Sequence, residues 1–202
     1  MKKLIALLLG SILLISLYGC QSSLKIATTI DNSVDYFIQD DLIQIKQLPW
    51  GISSDKAKEI VGEIDENNLQ SIDSQVKLMP IKQLTFNDFY LTSTIRCYYF
   101  DKTDQLYNVW YNFLFTDEVQ AREKMNEVVE YLKEKVPSSF EFVYNEKSST
   151  VLINSTTLEK FDIPMASWFD ETGAQLRLTI EPEGDKFSLH IKLASNKGHS
   201  LF

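Results

Sequence analysis

From Tyr107 to Phe115 the chain alternates without a break. Tyr107, Val109, Tyr111, Phe113 and Phe115 fall on one side of an extended backbone. Leu106, Asn108, Trp110, Asn112 and Leu114 fall on the other. A pattern of period two fits a strand and no helix. A second β-prone run, Phe89 to Phe100, precedes it across the polar turn Asp101-Lys102-Thr103-Asp104. The two runs predict an aromatic-rich antiparallel hairpin. A sheet with so apolar a face must be covered, and this requirement governs the rest of the fold.

Two helices are expected to supply the cover. Ser53 or Ser54 can cap one, with Asp55 near its positive end, and Ala57, Ile60, Val61 and Ile64 form its apolar stripe. Gly62 implies close packing or an early stop, and Asp65-Glu66-Asn67-Asn68 closes the helix. The other starts at Thr116 or Asp117 and ends before Pro137. Ala121, Met125, Val128, Val129, Leu132 and Val136 form its stripe. Upstream, Leu42 to Leu48 reads as a strand. Val76, Leu78 and Ile81 are short β signals, with Pro80 arguing for an edge.

Downstream, Phe140, Phe142 and Tyr144 alternate, Asn145 to Ser148 reads as a turn, and Val151-Leu152-Ile153 returns. Residues 154–167, with Pro164, read as irregular. Leu176, Leu178 and Ile180, then Phe187, Leu189, Ile191 and Leu193, predict a closing hairpin turned at Pro182-Glu183-Gly184-Asp185. Its polar face carries Gln175, Arg177, Thr179 and Glu181, then Lys186, Ser188, His190 and Lys192. The expected class is α+β, two helices packed on antiparallel sheet, and the element order admits a tandem αβββ repeat. The expected organisation is a leader at 1–19, a lipidated Cys and tether at 20–34, and one domain at 35–202. Halves of that domain would fall at 35–115 and 116–202.

The leader rests on Lys2 and Lys3, followed by an apolar run from Leu4 to Tyr18. Fifteen helical residues span about 22 Å, short of a hydrocarbon core of about 30 Å. Leu17-Tyr18-Gly19-Cys20 resembles the lipobox of bacterial lipoproteins. That resemblance implies a signal peptide cleaved before Cys20 and a diacylglyceryl, palmitate-type anchor on its thiol. Two or three chains hold a protein stably. The implied location is the cell envelope, on the non-cytoplasmic side. Gln21 after the Cys favours the outer membrane where the organism has one.

Trp50-Gly51-x-Ser53, the Ala57 and Ile60-Val61 stripe and the hydrophobic hairpin resemble a second theme. They are similar to envelope lipoproteins of the BamE (SmpA/OmlA) kind and the related β-lactamase-inhibitor-protein-like fold. Such proteins bind or scaffold other proteins and are not enzymes.

Charge and chemistry narrow the function. The net charge of −8 becomes two units more negative once a leader carrying Lys2 and Lys3 is removed. An acidic domain repels nucleic acid and favours a basic protein partner. Cys97, alone once Cys20 is acylated, reads as a small buried hydrophobe. His190 and His199 lack metal-ligand spacing and read as solvated, so no metal and no cofactor is expected. No phosphate-binding glycine loop or nucleophile elbow occurs. The acid pairs Asp40-Asp41, Asp65-Glu66, Asp117-Glu118 and Asp170-Glu171 fall at turns and helix ends, and no catalytic residue is assigned. Aromatic crowding on the central hairpin marks Tyr98, Trp110 and Tyr107 as an interaction surface. The reading is a membrane-anchored, non-enzymatic protein-binding or scaffolding module. A solute-binding lipoprotein, or an inhibitor of a cationic secreted enzyme, is the alternative, with a cell-wall hydrolase behind it.

Overall fold

The computed structural model describes residues 29–62, 70–72, 75–78, 83–100, 102–154 and 157–196. The leader, Cys20, residues 65–68, Pro80, Ile81 and His199 lie outside these residues. In chain order the elements are β1 (Thr29–Ile30), α1 (Ser33–Phe37), β2 (Ile38–Gln39), β3 (Leu42–Ile43) and α2 (Ser54–Val61). Then come β4 (Gln70–Ile72), β5 (Gln75–Leu78), β6 (Gln83–Phe86), β7 (Leu91–Phe100), β8 (Gln105–Phe115) and α3 (Glu118–Lys135). Four long strands finish the chain: β9 (Glu141–Asn154), β10 (Thr157–Phe169), β11 (Gln175–Glu183) and β12 (Lys186–Ala194).

One ten-stranded sheet dominates, in the order β1-β6-β7-β8-β12-β11-β10-β9, with β5 also pairing β7 and β4 pairing β5. Among the described strands only β1 runs parallel to its neighbour. Helix α3 is the connection from β8 to the far edge strand β9. The chain then meanders back until β12 pairs with β8, Ile191 opposite Tyr111. α3 therefore lies over the strands it bypasses and buries Ala121, Met125, Val128, Val129 and Leu132 on them. Asp117 caps it by accepting the Gln120 amide at 2.9 Å.

The expected α+β class is corrected. The protein is mostly β, with twelve strands and three helices among the described residues. Among the described helices only α3 is longer than eight residues. The αβββ unit does not recur as such: five strands follow α2 and four follow α3, and the two halves lie as contiguous blocks of one sheet joined by the β8–β12 pair. Two sequence signals misled. Residues 145–148 continue strand β9 and do not turn. Residues 157–169 form β10, where 154–167 read as irregular. Pro164 lacks an N–H for the ladder, and the register shifts between Ile163 and Met165, which accommodates it.

Residues 29–34, expected to lie in a tether, are part of the folded domain. Ile30 pairs with Phe86 and is buried, and Asn32 caps the short α1. Leu42 to Leu48 is not one strand: β3 stops at Ile43, and Ile45 bridges Leu48. Asp40 and Asp41 turn β2 into β3 with both φ positive, 50° and 58°, the two-residue turn whose twist matches a hairpin. Helix α2 is capped by Ser53 and stops at Gly62, whose φ of 89° suits a residue without Cβ. The early stop implied by Gly62 is what the chain does.

Every helix feeds one hydrophobic cluster. Its strand residues are those of a single sheet face, among them Ile95, Cys97, Tyr99, Val109, Tyr111, Phe113, Leu176, Leu178, Ile180, Leu189, Ile191 and Leu193. The opposite face contributes none of these residues.

Candidate functional site

That opposite face is polar where the long strands cross it. Register fixes its layout. Arg96 on β7 lies opposite Trp110 on β8, Trp110 opposite Lys192 on β12, and Lys192 opposite Arg177 on β11. Side chains directly opposite share a face, so these four form one row. The next rows bring Tyr98, Asn108 and Gln175 on one side and Asn112, His190 and Thr179 on the other.

Aromatic rings floor the centre. Tyr98 and Trp110 pack with centroids 4.8 Å apart, and the Lys192 ammonium sits 4.1 Å from the Trp110 centroid, a cation–π contact. The His190 ring stands edge-on to Trp110 at 6.2 Å. Lys192 donates to Glu181 Oε1 at 2.7 Å. Thr179 donates to the same oxygen at 3.3 Å.

A polar chain crosses the strands. With the Asn112 amide turned so that its oxygen meets Arg96, it accepts from Nη1 at 3.0 Å and Nη2 at 3.3 Å. Its nitrogen then donates to His190 Nδ1 at 3.0 Å. This orientation leaves the His190 proton on Nε2, which faces Glu181 Oε2 at 3.7 Å.

Burial controls the charges. Desolvation pushes His190 down to about 4, the Lys192 charge beside it adds to the fall, and Glu181 only partly offsets them. The imidazole is therefore neutral at physiological pH. Burial would raise the Glu181 carboxyl, but Lys192 and then His190 outweigh it and hold that carboxyl low. Burial also lowers Lys192 and Arg177, with Glu181 opposing in both cases. Burial lifts Tyr98 to about 12, partly offset by Arg96.

The three residues assigned to an interaction surface separate. Tyr98 and Trp110 come together on the polar face. Tyr107 is 1% exposed and offers no accessible surface of its own, although its hydroxyl is near enough to Tyr98 to interact electrostatically. The register shifts at Tyr98/Tyr99, with Tyr98 opposite Asn108 and Tyr99 opposite Leu106, so Tyr107 is the extra residue of a bulge. His190, read as solvated, is 6% exposed and stands beside a carboxylate. Cys97 is fully buried in the core as expected, and burial pushes its thiol up to about 12.

Sequence reasoning placed Arg177, Glu181, His190 and Lys192 on one polar face but missed that Arg96 and Trp110 belong to it. Strand parity assigns each residue to a side. The missing fact was the β8–β12 pairing. Two acid pairs have structural work: Asp40-Asp41 makes a turn, and Asp117 caps α3. Asp170 accepts four hydrogen bonds within and beside the 170–174 turn. Among the described residues no group of three or more His, Cys, Asp or Glu could hold a metal.

No protein-family model, curated protein or solved structure matches the chain.

Proposed function

We propose that this chain is a lipid-anchored envelope protein, tethered through Cys20, whose domain binds another molecule without covalent chemistry. The observation that carries the binding reading is the polar sheet face. It holds a packed Tyr98–Trp110 pair and a row of cations, and it gives no residue to the core that the helices cover. Trp and Tyr are the side chains most enriched where proteins meet ligands and partners. The anchor rests on the leader and lipobox pattern, and the scaffolding role is the one that the likeness to BamE-type lipoproteins implies.

Charge divides the surface. Near Trp110 the side chains are cationic. The outward side of α3 instead exposes Glu123, Glu127, Glu130 and Glu134, of which Glu127 and Glu130 pair with Lys124 and Lys133. A basic protein partner would therefore dock along α3. The alternative of a solute-binding lipoprotein draws on a cleft of about 30 Å³ beside Trp110.

A pull-down from envelope extract with residues 21–202, washed at low and high salt, tests the reading. Capture of one protein at low salt, lost at high salt and lost on charge reversal along α3, supports a basic partner. Tyr98→Ala with Trp110→Ala should abolish binding at the polar face while the circular dichroism stays unchanged; retained binding sinks that assignment. A Cys20→Ser chain that is still cleaved, lipid-labelled and membrane-bound sinks the anchor.

A further inference from the structure

We propose that the cleft beside Trp110 is a carboxylate-binding site, with Arg177 and Lys192 as the cations that hold the anion. Its lining is Asn108, Trp110, Gln175, Arg177, Lys192 and Ala194: two cations, two amides, an indole and a methyl. No acid lines it, in a chain with 28 acidic and 20 basic residues. The local charge thus opposes the sign of the whole molecule, and a site of that sign attracts an anion.

Three further observations point the same way. Arg177 and Lys192 sit directly opposite each other on one face, a like-charge pairing that costs a sheet stability. Glu181 takes the Lys192 ammonium at 2.7 Å, yet the row holds three cations, Arg96, Lys192 and Arg177. Arg177 Nε is buried and has no hydrogen-bond partner among the described residues. The Nε edge of a guanidinium is one of the forks that meets both oxygens of a carboxylate at once. A buried donor without an acceptor costs about 1–3 kcal/mol, and a carboxylate in the cleft would remove that cost.

The apolar part of the lining selects an anion carried on carbon over inorganic phosphate. Trp110 and Ala194 give the ligand's first carbons an apolar wall. The source is either a free small acid or the carboxyl group of a peptide chain. The inference rests on reading the Trp110 face as a binding face, but its test requires neither partner nor membrane.

The test is a titration of the full chain in zwitterionic detergent, following the three indole N–H resonances, with Trp110→Phe assigning its peak. The probes are acetate, N-acetylalanine, methyl acetate and inorganic phosphate, against chloride at equal ionic strength. Acetate and N-acetylalanine should move the Trp110 resonance saturably, and methyl acetate and chloride should not. Comparable affinity for the two acids assigns a free small acid. Tighter N-acetylalanine binding assigns a peptide carboxyl group. Arg177→Met should weaken acetate at least about tenfold, the scale of a lost charge-assisted bond, without lowering the urea midpoint, since it removes a like-charge contact. Arg177→Lys, which keeps the charge and loses the fork, should fall between. The proposal is overturned by a response to chloride equal to that for acetate, by no saturable response, by tighter phosphate binding, or by unchanged acetate affinity in both variants. A missing partner in the pull-down would leave these results standing, so the two readings fail separately.

Discussion

The Asp170 carboxylate accepts the backbone N–H of Ile43 at 2.7 Å, across 127 positions of sequence. Its other oxygen accepts from the Thr172 amide at 2.9 Å, the Thr172 hydroxyl at 2.7 Å and the Ala174 amide at 3.0 Å. One buried side chain thus shapes the β10–β11 turn and fastens the N-terminal segment to it. Asp170→Ala should destabilise the protein by about 2–4 kcal/mol, because several donors lose a charged acceptor at once. The urea midpoint measures this. A loss under about 1 kcal/mol would mean that water replaces the carboxylate.

His190 makes stability depend on pH in a defined direction. An unfolded histidine takes up its proton near pH 6.5, and folded His190 waits until about 4. The unfolded chain binds the proton first, so the His190 contribution is complete above about pH 6.5 and is lost as pH falls toward 4. The loss is on the order of 3 kcal/mol at most. The groups facing His190 are Asn112 on β8, Lys192 on its own strand, Glu181 on β11 and Arg96 on β7. Glu181, held low in the fold, adds a further loss of the same sign at lower pH. Urea midpoints at pH 7.0, 5.5 and 4.5 should fall stepwise in the native protein. They should fall less for His190→Gln, which carries no titrating ring. Equal slopes for the two proteins would exclude His190 as the source.

Gly62 ends α2 at φ 89° and ψ −148°, and a Cβ built there meets nothing within 4 Å. The cost of Gly62→Ala is therefore purely conformational, about 1–3 kcal/mol. Denaturant unfolding should show that loss with no change in slope. A neutral result would require the helix to run on past Val61.

Cys97 is fully buried with its thiol raised to about 12. In a Cys20→Ser chain it is the sole thiol. A thiol-specific chromophore should react negligibly with the native protein and stoichiometrically in urea, since only an exposed thiolate attacks. Rapid native labelling would show that the β7–β8 region opens locally.

How far the sequence could be read depended on the range of the interaction. Local patterns determined α3 with its Asp117 cap, the β7–β8 and β11–β12 hairpins, the Ser53 cap and the polar side of each strand. Caps, turns and periodicity all act within a few residues. The fold class was lost where length decided it: β9 and β10 run through 145–148 and 157–167, where polar residues and Pro164 read as breaks. A long antiparallel partner holds such stretches extended whatever their own preference.

The sequence alone therefore determined the faces of strand residues where the ladder is regular, because alternation is a property of the extended backbone, but not at the Tyr107 bulge, where Leu106 joins the core. Tertiary structure alone decided which strands are neighbours. Arg96, Trp110, Lys192 and Arg177 come from four strands. They form a row only because β12 returns to pair with β8. Pairing across that sequence distance is chosen by burial of the whole apolar face, a sum over the sheet that no single segment carries.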